Sequence, residues 1–352
     1  MEFALSNEQQ MIAETARGFF TENATSERTR KAMARDGVDH DLWQGFCRDL
    51  GLSGIGIDEA AGGAGLGLVE LALVAESAGA TVAALPLLGS LALSAQAIAA
   101  GGSPNQQAAH LPCLLSGETI AAYVHDHQLT ANGNVLTGQS RFVFHGASAS
   151  LLVVTRNTGA WIVRADAPGV TITAQTSMDQ TRPLACVTLD GATGDPLANP
   201  AAAIARAHTA GYVTLAAEAL GGAQATLDRT VSYAKERVQF GRQIGSFQAY
   251  KHRLADMMIE IEQARSAVWW AACAVDEGSD EADLAVHAAK SFCAETFHMC
   301  AGNMIQLHGG IGFTWEHDAH LYFKRARAIL SALGNGAWHR EQVAMRILGD
   351  AA

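Results

Sequence analysis

Two short segments of the chain concentrate residue types that can hold a nucleotide. The first is Glu236-Arg237-Val238-Gln239-Phe240-Gly241-Arg242-Gln243-Ile244-Gly245-Ser246-Phe247-Gln248; the second is Gln306-Leu307-His308-Gly309-Gly310-Ile311-Gly312-Phe313. Arg237 is a permanent cation whose planar donors suit a pyrophosphate. Phe240 offers a flat apolar face to a planar ring. Gln248 and Gln306 can donate and accept, so they can serve ribose or adenine edges. Gly309 and Gly310 let backbone approach a ligand closely. Taken singly, each has an ordinary alternative: a surface arginine at a helix end, a core phenylalanine, solvated glutamines, a glycine helix cap. Their order and joint spacing carry the reading.

The elements that must position these residues follow from periodicity. Residues 1 to about 118 read as helical. Ser6-Asn7-Glu8-Gln9 resembles an N-cap and first turn, and Met11, Ile12, Ala16, Phe19 and Phe20 recur at helical spacing. A second helix runs from Leu42 to Leu50 and ends on Gly51; a third spans Leu68 to Ala80; Pro86 opens another reaching about Ala100. From about Thr119 the period becomes two. Ile120–Val124, Ser140–Phe144, Leu151–Thr155, Trp161–Val163 and Cys186–Leu189 read as short strands between Gly, Asn and Asp turns, stopping near Pro196 and Pro200. Beyond, Leu220, Gln224, Leu227, Val231 and Ala234 form one helical stripe, and Leu254, Met257, Met258, Ile261, Arg265, Val268 and Ala272 another. Leu284–Leu307 and Ala337–Leu348 complete four helices, which suggests a bundle. The small residues Ala216, Ala217, Gly221, Gly222 and Ala223 would allow close helix contact.

Composition bounds the class. The chain has 352 residues, 49 % hydrophobic and 17 % charged, which is globular, and is long enough for two or three domains. A net charge of −11 argues against nucleic-acid binding through phosphates. No apolar run is long enough to span a membrane, and Met1–Leu5 lacks the basic region of a secretory leader. The scattered cysteines (Cys47, Cys113, Cys186, Cys273, Cys293 and Cys300) read as reduced, buried thiols of a cytoplasmic protein, with no metal site expected.

The two opening segments, RxxFG…FQ and QxHGGxG, resemble the C-terminal domain of acyl-CoA dehydrogenases. Phe3-Ala4-Leu5-Ser6-Asn7-Glu8-Gln9, the Gly51-Leu52 to Gly65 loop and Asp179-Gln180-Thr181-Arg182 resemble other parts of that family, so the resemblance covers nearly the whole chain. It implies a mainly α fold with a small β domain: an N-terminal helical domain over residues 1–118, a middle β-barrel-like domain over 119–199, and a C-terminal four-helix bundle over 200–352. It also implies FAD as cofactor, an acyl-CoA thioester as substrate and an electron-transfer flavoprotein as acceptor. Arg237, Phe240, Gln248, Gln306, Gly309 and Gly310 would contact the flavin nucleotide of a neighbouring subunit.

Other family elements are missing. The reaction needs a Glu or Asp base in a desolvated pocket. The segment that carries it in most members reads Ala328-Ile329-Leu330-Ser331-Ala332-Leu333-Gly334-Asn335-Gly336, with Leu333 or Gly334 at the Glu position. A minority keep the base near the position of Gly211-Tyr212. Glu218 and Glu341 lie further off and read as structural or exposed, so no catalytic residue is assigned; the helical stripe turns Glu218 largely away from the apolar face. In the β domain the TEP…GSD flavin loop is shortened to His125-Asp126-His127-Gln128, a pair of polar loop histidines, and Phe142 and Phe144 replace a Trp and a hydroxyl residue. This pattern resembles the shorter, base-lacking subunit of the α2β2 steroid side-chain acyl-CoA dehydrogenases of actinobacteria. The partner would carry the catalytic Glu and the flavin cradle. Three other readings stand beside it: a self-sufficient enzyme with Glu218 or an unrecognised carboxylate as base, a flavin oxidase or monooxygenase on the same fold with His339 or His317 near the reacting centre, and a scaffold or acyl-CoA-binding protein without flavin chemistry.

Overall fold

Helix gives way to strand and strand to helix where the sequence period changes. The computed structural model describes residues 4–157 and 159–349. Met1, Glu2 and Phe3, and with Phe3 the first residue of the opening motif, lie outside the described residues. Helix α1 (Asn7–Asn23) starts on a capping box in which Ser6 and Gln9 satisfy each other's backbone N–H groups. Next come α2 (Ser26–Met33) and α3 (His40–Gln44), the latter widening into a π-helical turn, Gly45–Asp49. Helix α4 is Leu68–Ala80. A π-helical run, Leu87–Ala95, leads into α5 (Gln96–Gly101), and α6 (Pro104–Leu115) opens with Ser103 as cap and Pro104 in its first turn.

The strands are β1 (Ala121–His125), β2 (Thr130–Asn132), β3 (Val135–Phe144), β4 (Leu151–Arg156), β5 (Gly159–Arg164), β6 (Val170–Gln175), β7 (Leu184–Thr193) and β8 (Asp195–Pro196). They form two four-stranded sheets, ordered β1-β4-β5-β8 and β2-β3-β7-β6. Alternate residues of both sheets, among them Val124, Leu136, Val154, Trp161, Val187 and Leu189, share one core. A shift in register between Ser140 and Val143 turns Phe142 out to solvent, 72 % exposed. His125 is a strand residue bonded to Thr155 Oγ1 at 2.9 Å rather than a loop residue; His127 lies in the following turn, 2.8 Å from Asn157 Oδ1.

The remaining elements are α7 (Pro200–Glu236), a hairpin of β9 (Val238–Gln239) and β10 (Arg242–Gln243), α8 (Gln248–Asp276), α9 (Ala282–His308), α10 (Ala319–Ser331) and α11 (Gly336–Leu348). The expected four helices are therefore joined by a fifth, α10, which the stripes did not single out. The described chain divides into two compact units. One gathers Met1–Ser26, Leu68–Ala83 and Tyr212–Ala352; the other gathers Glu27–Gly67 and Ala84–Gly211.

In the first unit the small residues of α7 allow backbone contact. A Cβ on Gly221 would lie 1.8 Å from the Glu76 carbonyl oxygen of α4, and one on Gly222 would lie 2.4 Å from the Phe297 ring of α9. The α8 stripe is only partly inward: Met257, Ile261, Val268 and Ala272 are buried, while Met258 is exposed and Arg265 spans to Glu76 at 2.8 Å. Of the thiols, Cys47, Cys293 and Cys300 are buried and Cys113 is exposed, so the expectation of buried thiols holds only in part; all six are free.

Candidate functional site

The Arg237–Gln248 segment begins where α7 ends. Its backbone continues from the helix, with Arg237 N–H donating to the Tyr233 carbonyl at 2.9 Å, and closes as Ile244 N–H donates to the Arg237 carbonyl at 2.9 Å. Gln239 and Arg242 pair across a two-residue turn whose central residues, Phe240 and Gly241, both have positive φ, +53° and +75°. That mirror-image turn matches the twist of a hairpin, and Gly241 suits it. Phe240 does not: a bulky residue there costs about 1–2 kcal/mol. It gains little packing in return, since it is 92 % exposed, with Phe247 edge to face at 6.2 Å. The Arg242 guanidinium covers the Phe247 ring at 4.0 Å and stiffens the turn.

The second segment is the end of α9. Gly309 at φ +63° breaks the helix, and around both Gly309 and Gly310 a Cβ would meet nothing within 4 Å. Gly310 is thus not required by packing within the chain. Gly312 is, because a Cβ there would lie 2.7 Å from the Ile305 carbonyl.

Two ties bring the segments side by side. His308 stacks on Tyr233, one turn before Arg237, with centroids 4.4 Å apart, and Tyr250, two residues after Gln248, donates its hydroxyl to the Leu307 carbonyl at 2.9 Å. Buried His308 donates Nδ1–H to the Met304 carbonyl at 2.7 Å; burial holds it below its ordinary pKa, so it stays a neutral spacer. Arg237, Gln248 and Gln306 are exposed, and their side chains make no hydrogen bond or ion pair among the described residues. Three exposed polar side chains, an exposed ring and an open glycine edge therefore lie on two segments that touch each other. This donor set suits an anionic, aromatic nucleotide. Sequence reasoning named the exposed residues but missed Tyr233 and Tyr250, which hold them in register; an isolated tyrosine on a helix stripe carries no signal of that task.

The segment where a carboxylate base is expected forms the turn between α10 and α11. Leu333 and Gly334 occupy it at φ +52° and +103°. Asn335 caps α11, its Oδ1 accepting from Trp338 N–H at 2.9 Å. The buried Lys290 ammonium donates to the Gly334 carbonyl, and Ser291 Oγ donates to the Gly336 carbonyl at 3.2 Å. Beside the turn, His287 and His339 meet Nδ1 to Nδ1 at 2.7 Å, with Tyr212 packed on both rings. Burial pushes Lys290 down to about 8 and Tyr212 up to about 12, and it holds both imidazoles well below their ordinary value. The turn itself carries no carboxylate; its buried neighbours are a cation, two neutral imidazoles and a phenol.

Glu218 lies elsewhere, ion-paired with Arg325 of α10 in a fully packed setting, both nearly inaccessible. Arg325 also donates to the Ala83 carbonyl at 3.4 Å. The stripe placed Glu218 away from the apolar face, as a structural or exposed residue; its buried ion pair makes it structural. Helix α7 is buried on several faces from Tyr212 to Ala223, so a residue opposite the main stripe is still inside. Glu341 is exposed on α11. His317 packs against His308 with the rings tilted, 4.5 Å between centroids, and His339 belongs to the buried pair. Among the described residues no group of His, Cys, Asp and Glu is placed to hold a metal ion.

Comparison with known proteins agrees with this architecture. The model of the acyl-CoA dehydrogenase N-terminal domain matches residues 6–118, and that of the C-terminal domain matches residues 202–348. The acyl-CoA dehydrogenase IpdE2 of Mycobacterium tuberculosis is 38 % identical over 320 residues, 91 % of each chain. A chain of the ChsE4-ChsE5 complex of Mycobacterium tuberculosis superposes with a TM-score of 0.93 at 29 % identity over the full length of both. A chain of the Tcur3481-Tcur3483 steroid acyl-CoA dehydrogenase G363A variant superposes with a TM-score of 0.90 at 32 % identity over 98 % of both. Members of the matched family are FAD-using oxidoreductases acting on CH–CH bonds. By domain match, by identity over nearly its whole length and by fold, the chain belongs to the acyl-CoA dehydrogenase family.

Proposed function

We propose that this chain is the base-lacking subunit of a heteromeric, cytoplasmic FAD-dependent acyl-CoA dehydrogenase. The observation that carries the proposal is the turn Ser331–Gly336. It has Leu333 and Gly334 where a base belongs, and the Lys290 cation seals it from beneath. A carboxylate poised to take a proton α to a thioester has no counterpart there, and the buried Glu218 is committed to Arg325. The partner subunit would supply the base.

Arg237, Phe240, Gln248, Gln306, Gly309 and Gly310 are the residues we assign to FAD held between this chain and its partner. Arg237 would neutralise the diphosphate, Phe240 would lie against a ring edge, Gln248 and Gln306 would bond ribose or adenine, and the two glycines would admit backbone to close range. Bound FAD would supply the acceptor for the hydride leaving the β-carbon of the thioester, and an electron-transfer flavoprotein would take the electrons onward. The ChsE4-ChsE5 relative is a complex of two named proteins, and the Tcur3481-Tcur3483 relative is a steroid enzyme. The first supports a heteromer, and the second supports a steroid CoA ester as substrate class. The three-part division into residues 1–118, 119–199 and 200–352 is proposed on the same footing.

The test is expression with and without the product of a neighbouring dehydrogenase gene. Alone, the chain is expected to be colourless and inactive with acyl-CoA and an artificial electron acceptor; with its partner, a yellow, active complex is expected. A yellow, active homomer of this chain would overturn the proposal.

A further inference from the structure

We propose that the His287–His339 pair is a latch that holds α11 and the preceding turn against α9, and that it opens when both imidazoles carry protons. The starting observation is how α11 is fastened. Its buried residues are Gly336 and His339, so the one fully buried side chain on this helix is a histidine, 0 % exposed. An apolar anchor would be indifferent to pH; a histidine is not.

The bond it makes sets the condition. Two Nδ1 atoms 2.7 Å apart need one proton between them, so one ring donates and the other accepts. A neutral pair meets this with opposite tautomers. A singly protonated pair meets it too, with one shared proton. A doubly protonated pair sets N–H against N–H and adds a second buried charge, so the contact becomes repulsive.

The surroundings decide how easily protons enter. From α7 comes Tyr212, with ring centroids 5.1 Å from His287 and 4.9 Å from His339. From α9 come Lys290, a cation that opposes charge on His339, and Asp283, whose carboxylate oxygen lies 3.6 Å from His287 Nε2 and favours it. Asp283 is shared with Arg346 of α11, which works against it. Glu295 of α9 pairs with Arg340 of α11. From the turn, the Leu333 backbone favours charge on His339, whose Nε2 makes no hydrogen bond among the described residues. Trp338 of α11 covers both rings, at 5.4 Å and 4.8 Å. The two ion pairs between α9 and α11 are exposed on the surface and contribute little holding force. Burial dominates, so the latch is closed and neutral at neutral pH.

The experiment is hydrogen exchange by mass spectrometry on the intact chain, with its partner if it has one, corrected for intrinsic rate, from about pH 7.5 to about pH 4.5. Peptides over 332–348 are expected to lose about tenfold or more of their protection on acidification, while peptides over the β strands keep theirs. His339→Leu, which keeps an apolar anchor, is expected to flatten that dependence. Uniform loss of protection across the chain would overturn the latch. So would unchanged protection over 332–348 in the wild type, or the wild-type pH dependence persisting in His339→Leu. The wild-type comparison of regions stands alone if the variant does not fold. The latch does not depend on the chain's share in a flavin site.

Discussion

Arg237 is a charged side chain whose guanidinium meets no partner among the described residues, on a backbone pinned at both sides. A charge-assisted hydrogen bond to a diphosphate contributes about 1.5–3 kcal/mol. Arg237→Ala in the assembled enzyme is therefore expected to weaken FAD binding by about tenfold or more, with this chain still folded. Arg237→Lys should recover only part, because an ammonium lacks the planar fork. Equal FAD affinity in wild type and Arg237→Ala, measured by fluorescence titration, would remove Arg237 from the site. Glu218 sits at the opposite extreme, buried against Arg325. Removing one charge of a buried pair strands the other, which costs on the order of 3 kcal/mol. Glu218→Gln is expected to lower thermal stability clearly while keeping most of the turnover. A loss of three or more orders of magnitude in the chemical step, at unchanged FAD content, would instead make Glu218 the base (an outcome the ion pair argues against).

At the scale of elements, the hairpin after α7 carries a local conflict. Phe240 holds a left-handed backbone that Asn or Gly would adopt more readily, and it is nearly fully exposed. Such strain persists where something outside the element uses the side chain. Phe240→Asn is expected to leave the isolated chain as stable or slightly more so, and to weaken FAD retention in the complex. A variant that is destabilised in isolation and keeps its flavin would contradict this. The turn before α11 offers a second test through Lys290. Its folded value of about 8 lies below the ordinary 10.5, so between those values the unfolded chain binds more protons, and stability rises with pH across that window. Lys290→Met abolishes that contribution. Wild type is expected to gain on the variant from about pH 8 to about pH 10.5 in denaturant titrations. A constant difference would mean that the ammonium is not desolvated.

For the whole molecule, the large exposed apolar side chains fall mostly in one unit: Phe240, Met258, Ile259, Phe313, Trp315, Ile347 and Leu348. Surfaces of this kind mark interaction sites or association hazards. The chain expressed alone is expected to self-associate, and co-expression with its partner should yield a defined complex; light scattering distinguishes the two. A stable monomer at high concentration would argue that these residues have no partner to meet.

The order of helix, strand and helix was legible in the sequence because apolar periods of 3.6 and 2 are local signals. The types of the two nucleotide-binding candidates were legible for the same reason: an arginine, an aromatic residue and glycines in fixed short spacing state their chemistry without a fold. Helix α10 escaped because its apolar residues are interrupted by Lys324, Arg325 and Arg327, and Arg325 turns inward only because Glu218 waits there. Glu218 could be read from the stripe only as structural or exposed; the packing of α7 on several faces decided for the buried, ion-paired form. The histidine latch lay beyond any local reading, since its partners are 52 residues apart and became neighbours only when α11 folded back on α9. Sequence determined which chemistry each short segment could perform. Tertiary packing decided which of those groups face outward, which are neutralised by burial, and which pair, because desolvation and long-range contact exist only in the folded chain.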